Sequence, residues 1–104
     1  MAADLWSEVR SLADGRSLVS FVGEVDVTTV DQFRATLARA AGAGPVVAEL
    51  SELTYLDSAG VDVLFDVARR THLEVVAGSQ CPVRRLLDVV SLGAVATLLD
   101  KAPR

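Results

Sequence analysis

With 104 residues, of which 51% are apolar and 23% charged, the chain has the length of one domain and enough apolar side chains for one core. A net charge of −4 argues against nucleic acid, which needs a clustered basic footprint, and a single cysteine, Cys81, excludes an internal disulfide and a cysteine-based zinc site. Charges interrupt every apolar run short of the roughly 18 residues a spanning helix needs, so no membrane insertion is expected.

The N-terminus, Met1-Ala2-Ala3-Asp4, lacks the basic region and long apolar core of a secretory leader, and a cytoplasmic location is expected. A mean hydropathy of +0.39 is high for a chain without a spanning segment. Strands buried under helices absorb such an excess, because they read as Val/Leu-rich runs.

Residues 6–12 and 17–22 have strand character and flank a turn containing Asp14-Gly15, the pattern of a β-hairpin. Gly23-Glu24-Val25-Asp26 closes that unit. Thr28 is placed to cap a helix, with Asp31 three residues on, and Val30, Phe33, Leu37 and Ala41 fall on one helical face. Gly42-Ala43-Gly44-Pro45 stops this helix.

A central strand is expected over residues 46–50, then a loop over 51–56. Asp57-Ser58 opens a second helix, with Val61, Leu64, Phe65 and Ala68 inward and Asp62, Asp66, Arg69 and Arg70 outward. Residues 73–77 read as a third core strand. A third helix is expected from Pro82, burying Val83, Leu86, Leu87 and Val90 and stopped by Gly93. Residues 94–99 are assigned to a last strand. Strands alternating with helices define an α/β domain, mostly parallel after the opening hairpin and covered by three to four helices.

Catalytic constellations are sparse. His72 has no partner at metal-ligand spacing, and Cys81 before Pro82 has no organising histidine, so both read as structural. No glycine run makes a phosphate loop. Asp57, Asp62 and Asp66 gather around one helix start, but Asp62 and Asp66 are i,i+4 and Asp66 is i,i+4 from Arg70, the mark of a solvated, salt-bridged face. A phospho-accepting receiver domain would need a lysine after the fifth strand and an acidic pair after the first, and neither can be placed. No metal, cofactor or enzymatic activity is expected.

There remains Leu56-Asp57-Ser58-Ala59-Gly60, at the start of a helix. Asp57 or Ser58 serves as its N-cap. Gly60 costs about 1 kcal/mol against alanine in a first helical turn, which calls for a close approach by a neighbouring backbone.

Gly23-Glu24-Val25-Asp26 before a helix, then a Val-rich strand, then Asp57-Ser58-Ala59-Gly60-Val61 leading into a second helix, resembles the STAS domain of bacterial anti-sigma factor antagonists. Val83-Arg84-Arg85-Leu86-Leu87 followed by Leu92 extends the resemblance, which covers about residues 5–99 of a domain spanning 1–104. It implies a single small STAS-type α/β domain that is not an enzyme. Ser58 would be the serine phosphorylated by an anti-sigma factor that is also a serine kinase of histidine-kinase-like ATPase fold. Free antagonist would bind that kinase and release its sigma factor, and a phosphatase would restore the free form.

The resemblance further implies a partner surface of Asp57, Ser58, Ala59, Gly60 and Asp62 with Gly23, Glu24, Asp26 and Thr28 from the neighbouring loop. Two features depart from the pattern or leave it open. Residues 100–104 are too few for the helix that many members carry after the last strand, and the same domain also serves as a subunit of phospholipid-transport ABC complexes or in stress-signalling scaffolds. No pattern sets the oligomeric state.

Overall fold

The computed structural model describes residues 4–103; Met1, Ala2 and Ala3, read above for a leader, and Arg104 lie outside it. β1 (Leu5–Ser11) and β2 (Ser17–Val25) form the expected hairpin, closed by Gly15 at φ 91°, a conformation open to glycine at little cost. α1 (Val30–Ala43), β3 (Val46–Leu56), α2 (Ser58–Arg70), β4 (Leu73–Val76), α3 (Arg84–Val89) and β5 (Thr97–Leu99) follow. The sheet has the order β1-β2-β3-β4-β5, with β1 antiparallel to β2 and each later pair parallel. The α/β architecture with an N-terminal hairpin is as expected.

Each parallel strand lies beside its predecessor, so right-handed crossovers bring the helices to one face of the sheet. Between them lies the main core: Val19, Phe21, Phe33, Leu37, Leu50, Leu53, Leu64, Val75 and Leu87 are fully buried. The rings of Phe21 and Phe33 sit 4.7 Å apart and tilted by 56°, locking α1 onto β2. The other face carries only a small cluster, Leu18, Val47 and Val76, with Leu12 and Leu99 at its margin.

Several boundaries differ from the sequence reading. The segment taken as a loop, residues 51–56, continues β3 to Leu56 and pairs with the second half of β2 through two register shifts. Those bulges break the alternation that marks a strand. Ala40 rather than Ala41 is the buried residue completing the α1 face. α3 starts at Arg84, two residues after Pro82, and ends before Ser91, which adopts the left-handed conformation (φ 59°). Gly93 therefore does not stop it; it lies in a 3-10 turn over Leu92–Ala94, and only Thr97–Leu99 of the expected last strand pairs with β4.

Two arginines tie the ends together. Arg16 bonds Asp14 through Nε at 2.8 Å and Glu74 through a terminal nitrogen at 2.6 Å, joining the hairpin to β4. Arg84 donates to the Ala77 carbonyl at 2.6 Å and to Asp100 at 3.0 Å, holding α3 against the segment after β5. On α2, Asp66 pairs with Arg69 (i,i+3), not with Arg70 as the i,i+4 spacing implied.

Candidate functional site

At the carboxyl ends of β2 and β3 the chain turns into α2. The Asp57 amide donates to the Val25 carbonyl at 3.1 Å, anchoring the turn to the sheet, and Asp57 has the extended conformation (φ −90°, ψ −179°) usual for an N-cap. Its carboxylate accepts the Gly60 amide at 3.0 Å. The alternatives left open above are thus resolved: Asp57 caps, and Ser58 is the first helical residue. The Ser58 side chain is exposed and makes no hydrogen bond among the described residues.

Gly60 is buried. A Cβ there would run into Leu56 Cδ1 and come within 2.9 Å of Val25 Cγ1. A close approach does account for this glycine, but core side chains make it rather than a backbone. Ala59 is half-buried against the same core, while Asp62, one turn beyond Ser58, is exposed.

The loop from β2 to α1 lies beside this helix start. Asp26 accepts from the Thr28 amide at 2.8 Å and the Thr28 hydroxyl at 2.6 Å. These bonds hold its carboxyl below the usual carboxylate range, the hydroxyl contributing most. Thr28 is therefore spent on Asp26 and does not cap α1, contrary to the sequence reading. Thr29 occupies the cap position; its buried hydroxyl donates to the Glu24 carbonyl at 2.8 Å and accepts the Asp26 amide at 3.0 Å, fixing the loop from within.

Gly23 has φ +122°, and a Cβ would collide with the carbonyl of Asp4, the residue just before β1. The absence of a side chain there lets β1 and β2 approach; of the nine expected partner-surface residues Gly60 is buried and Gly23 half-buried. Glu24, Asp26, Asp57, Ser58, Ala59, Thr28 and Asp62 are at least partly accessible at this end of the sheet.

Two residues of the surface were not foreseen. Val27, at the loop tip between Asp26 and Thr28, is 82% exposed, and Tyr55, paired in register with Glu24, is 50% exposed. An apolar β-branched residue inside a turn and the chain's one tyrosine, two residues before Asp57, were the available signals.

Asp57 precedes Ser58 and Asp62 lies one helical turn beyond it, while Glu24 and Asp26 flank Val25, whose carbonyl accepts the Asp57 amide. Among the described residues no group of three or more His, Cys, Asp or Glu side chains is arranged to hold a metal ion, and no helix is long and apolar enough to cross a membrane. A separate shallow cleft lined by Gly78, Ser79, Gln80 and Cys81 lies beside α3 and does not include Ser58. Cys81 is partly buried, with its thiol 3.5 Å from the Leu50 carbonyl, and acts as a packing residue.

The STAS domain family model matches residues 11–101, and the chain belongs to the STAS-domain family. In structure it is similar to an anti-sigma factor antagonist from Mycobacterium paratuberculosis, with 24% identity, 94% of this chain and 87% of that one covered, and a TM-score of 0.84. It is similar also to the anti-sigma factor antagonist SpoIIAA in its unphosphorylated form, at 19% identity and TM-score 0.72, covering 93% of this chain and 90% of that one. For the Bacillus cell fate determinant SpoIIAA in the phosphorylated form the values are 19% and 0.65, with 92% and 93% covered. At these identities the likeness establishes the fold. No curated protein matches the chain in sequence.

Proposed function

We propose that this STAS domain is an anti-sigma factor antagonist acting by partner switching. With a free hydroxyl at Ser58 it binds an anti-sigma factor that is also a serine kinase, which releases the sigma factor; phosphorylation of Ser58 dissolves the complex and a phosphatase reverses it. The domain is a cytoplasmic binding module and not itself an enzyme.

The observation that carries this reading is the division of labour at the start of α2. Asp57 satisfies the helix amide, so the Ser58 hydroxyl is exposed and uncommitted, ready to be both a contact and an acceptor. A phosphate there adds about −1.5 to −2 charges. The helix N-terminus tolerates an anion, so the fold survives while the surface changes. Next to Asp57 and Asp62 the added charge deepens an already acidic patch, and a partner packed against a neutral hydroxyl would face an unpaired, desolvated charge.

The named functions of the similar structures, and the existence of SpoIIAA in phosphorylated and unphosphorylated forms, support the same reading. Incubation with ATP and an anti-sigma factor serine kinase, followed by mass spectrometry, tests it. One phosphate on Ser58, absent from Ser58→Ala, is expected. A chain that stays unmodified and co-purifies with a transporter ATPase would favour the transport-subunit role instead.

A further inference from the structure

β1 is an edge strand, bonded to β2 on one side only. Which of its backbone groups face outward follows from the ladder. The Glu24 amide donates to the Asp4 carbonyl at 3.0 Å and the Leu12 amide to the Arg16 carbonyl at 2.8 Å, at the two ends of an unbroken antiparallel register. Even-numbered residues of β1 therefore direct N–H and C=O toward β2, and Leu5, Ser7, Val9 and Ser11 direct theirs away. Gln32 of α1 confirms this direction by donating to the Leu5 carbonyl at 2.8 Å.

The outward groups of Ser7, Val9 and Ser11 remain. Edges left this way template pairing unless proline, a bulge or charged side chains blunt them; β1 has no proline and no bulge, and its two charges, Glu8 and Arg10, are of opposite sign. The strand carries Trp6, 73% exposed, and Val9, 55% exposed, with Glu8 and Arg10 on either side of Val9, neither in an ion pair among the described residues.

We propose that β1 is a self-association edge, at which two copies of the chain pair antiparallel about a two-fold axis through Val9. Val9 then exchanges backbone bonds with Val9 of the second copy, and Ser7 with Ser11. Glu8 lies opposite Arg10 and Arg10 opposite Glu8, in non-hydrogen-bonded positions where side chains come closest. Trp6 falls opposite Leu12, extending the small cluster of Leu18, Val47 and Val76 across the seam.

The charge pattern selects this register. An axis through Glu8 sets Glu8 against Glu8, and one through Arg10 sets Arg10 against Arg10. A shift by one residue aims outward amides at strands whose groups point the other way. An axis through Ser7 sets Arg10 against Asp4 but Glu8 against Trp6, and needs the Leu5 carbonyl that Gln32 already holds; the axis at Val9 pairs both charges of β1 and uses only unoccupied backbone groups. The seam lies two strands from β3, so Ser58 stays accessible in the pair.

Sedimentation equilibrium of the full chain over a concentration series tests the proposal. Wild type is expected to self-associate reversibly, and Glu8→Arg and Arg10→Glu, both exposed changes that leave circular dichroism unaltered, each to weaken association about ten-fold or more. Mixed together, the two variants are expected to form a 1:1 pair at least as tight as wild type, and the double swap to restore self-association. A wild type that stays monomeric at the concentrations of an NMR sample overturns the proposal, as does association indifferent to these charges. Loss with Trp6→Ala but not with the charge variants would move the contact to the helix-free sheet face and equally refute the edge pairing.

Discussion

The Asp57 carboxylate accepts the Gly60 amide at 3.0 Å, and this one bond separates capping from signalling at the start of α2. Had Ser58 been the cap, its hydroxyl would be held by the helix and its modification would unsettle the fold. With Asp57 in that place the two roles fall on adjacent residues.

Stability should report this directly. Asp57→Ala removes the acceptor of a helix amide and is expected to cost about 0.5–2 kcal/mol. Ser58→Ala removes an exposed hydroxyl without a partner, and its effect should stay within about 0.5 kcal/mol. Urea denaturation of both variants checks the order; a larger loss at Ser58 than at Asp57 would reverse the assignment.

A second expectation concerns Gly60, which is closed in by Leu56 and Val25. Gly60→Ala forces its methyl group into these side chains at a cost of about 1–3 kcal/mol, offset in part by about 1 kcal/mol of better helix propensity. Leu56→Val withdraws the terminal carbon that the new methyl would strike. In a double-mutant cycle the Gly60→Ala penalty should shrink by about 0.5 kcal/mol or more in the Leu56→Val background. Strict additivity would show that the glycine serves something other than this contact.

The loop beside Ser58 should respond to acid. Because Thr28 holds the Asp26 carboxyl below the usual range, the folded state resists its protonation, and the stabilisation is present in full above the unfolded carboxylate range. It fades as pH falls through that range and is gone below the folded value. The difference in melting temperature between wild type and Asp26→Ala should therefore be greatest near neutrality and vanish at low pH. NMR of the Thr28 amide should shift with the Asp26 carboxyl titration; a midpoint at or above the ordinary aspartate value would contradict the bond.

Much of this arrangement was legible in the residues because local chemistry and global fold agree. Asp14-Gly15 marked the hairpin, Gly44-Pro45 the end of α1, and Asp57-Ser58-Ala59-Gly60 the start of α2. What escaped were features set by tertiary register. β3 runs on to Leu56 because two bulges let it follow β2, and a bulge erases the period-two signal. Thr28 and Thr29 are equally good caps on paper; a bond from Thr28 to Asp26 and one from Thr29 to the Glu24 carbonyl decide between them. Val27 and Tyr55 joined the site only because β2 and β3 end side by side, setting the loop after β2 next to the last residues of β3.

The central claim is that charge at Ser58 controls binding without controlling folding, and the affinity of the kinase anti-sigma factor for Ser58→Ala and Ser58→Asp, measured by calorimetry beside melting temperatures, tests it most directly. Ser58→Ala should bind as wild type does. Ser58→Asp, which adds one negative charge beside Asp57, should melt within a few degrees of wild type yet bind at least about ten-fold more weakly. Equal affinities for Ser58→Asp and wild type would contradict the switch and leave Ser58 an ordinary surface serine.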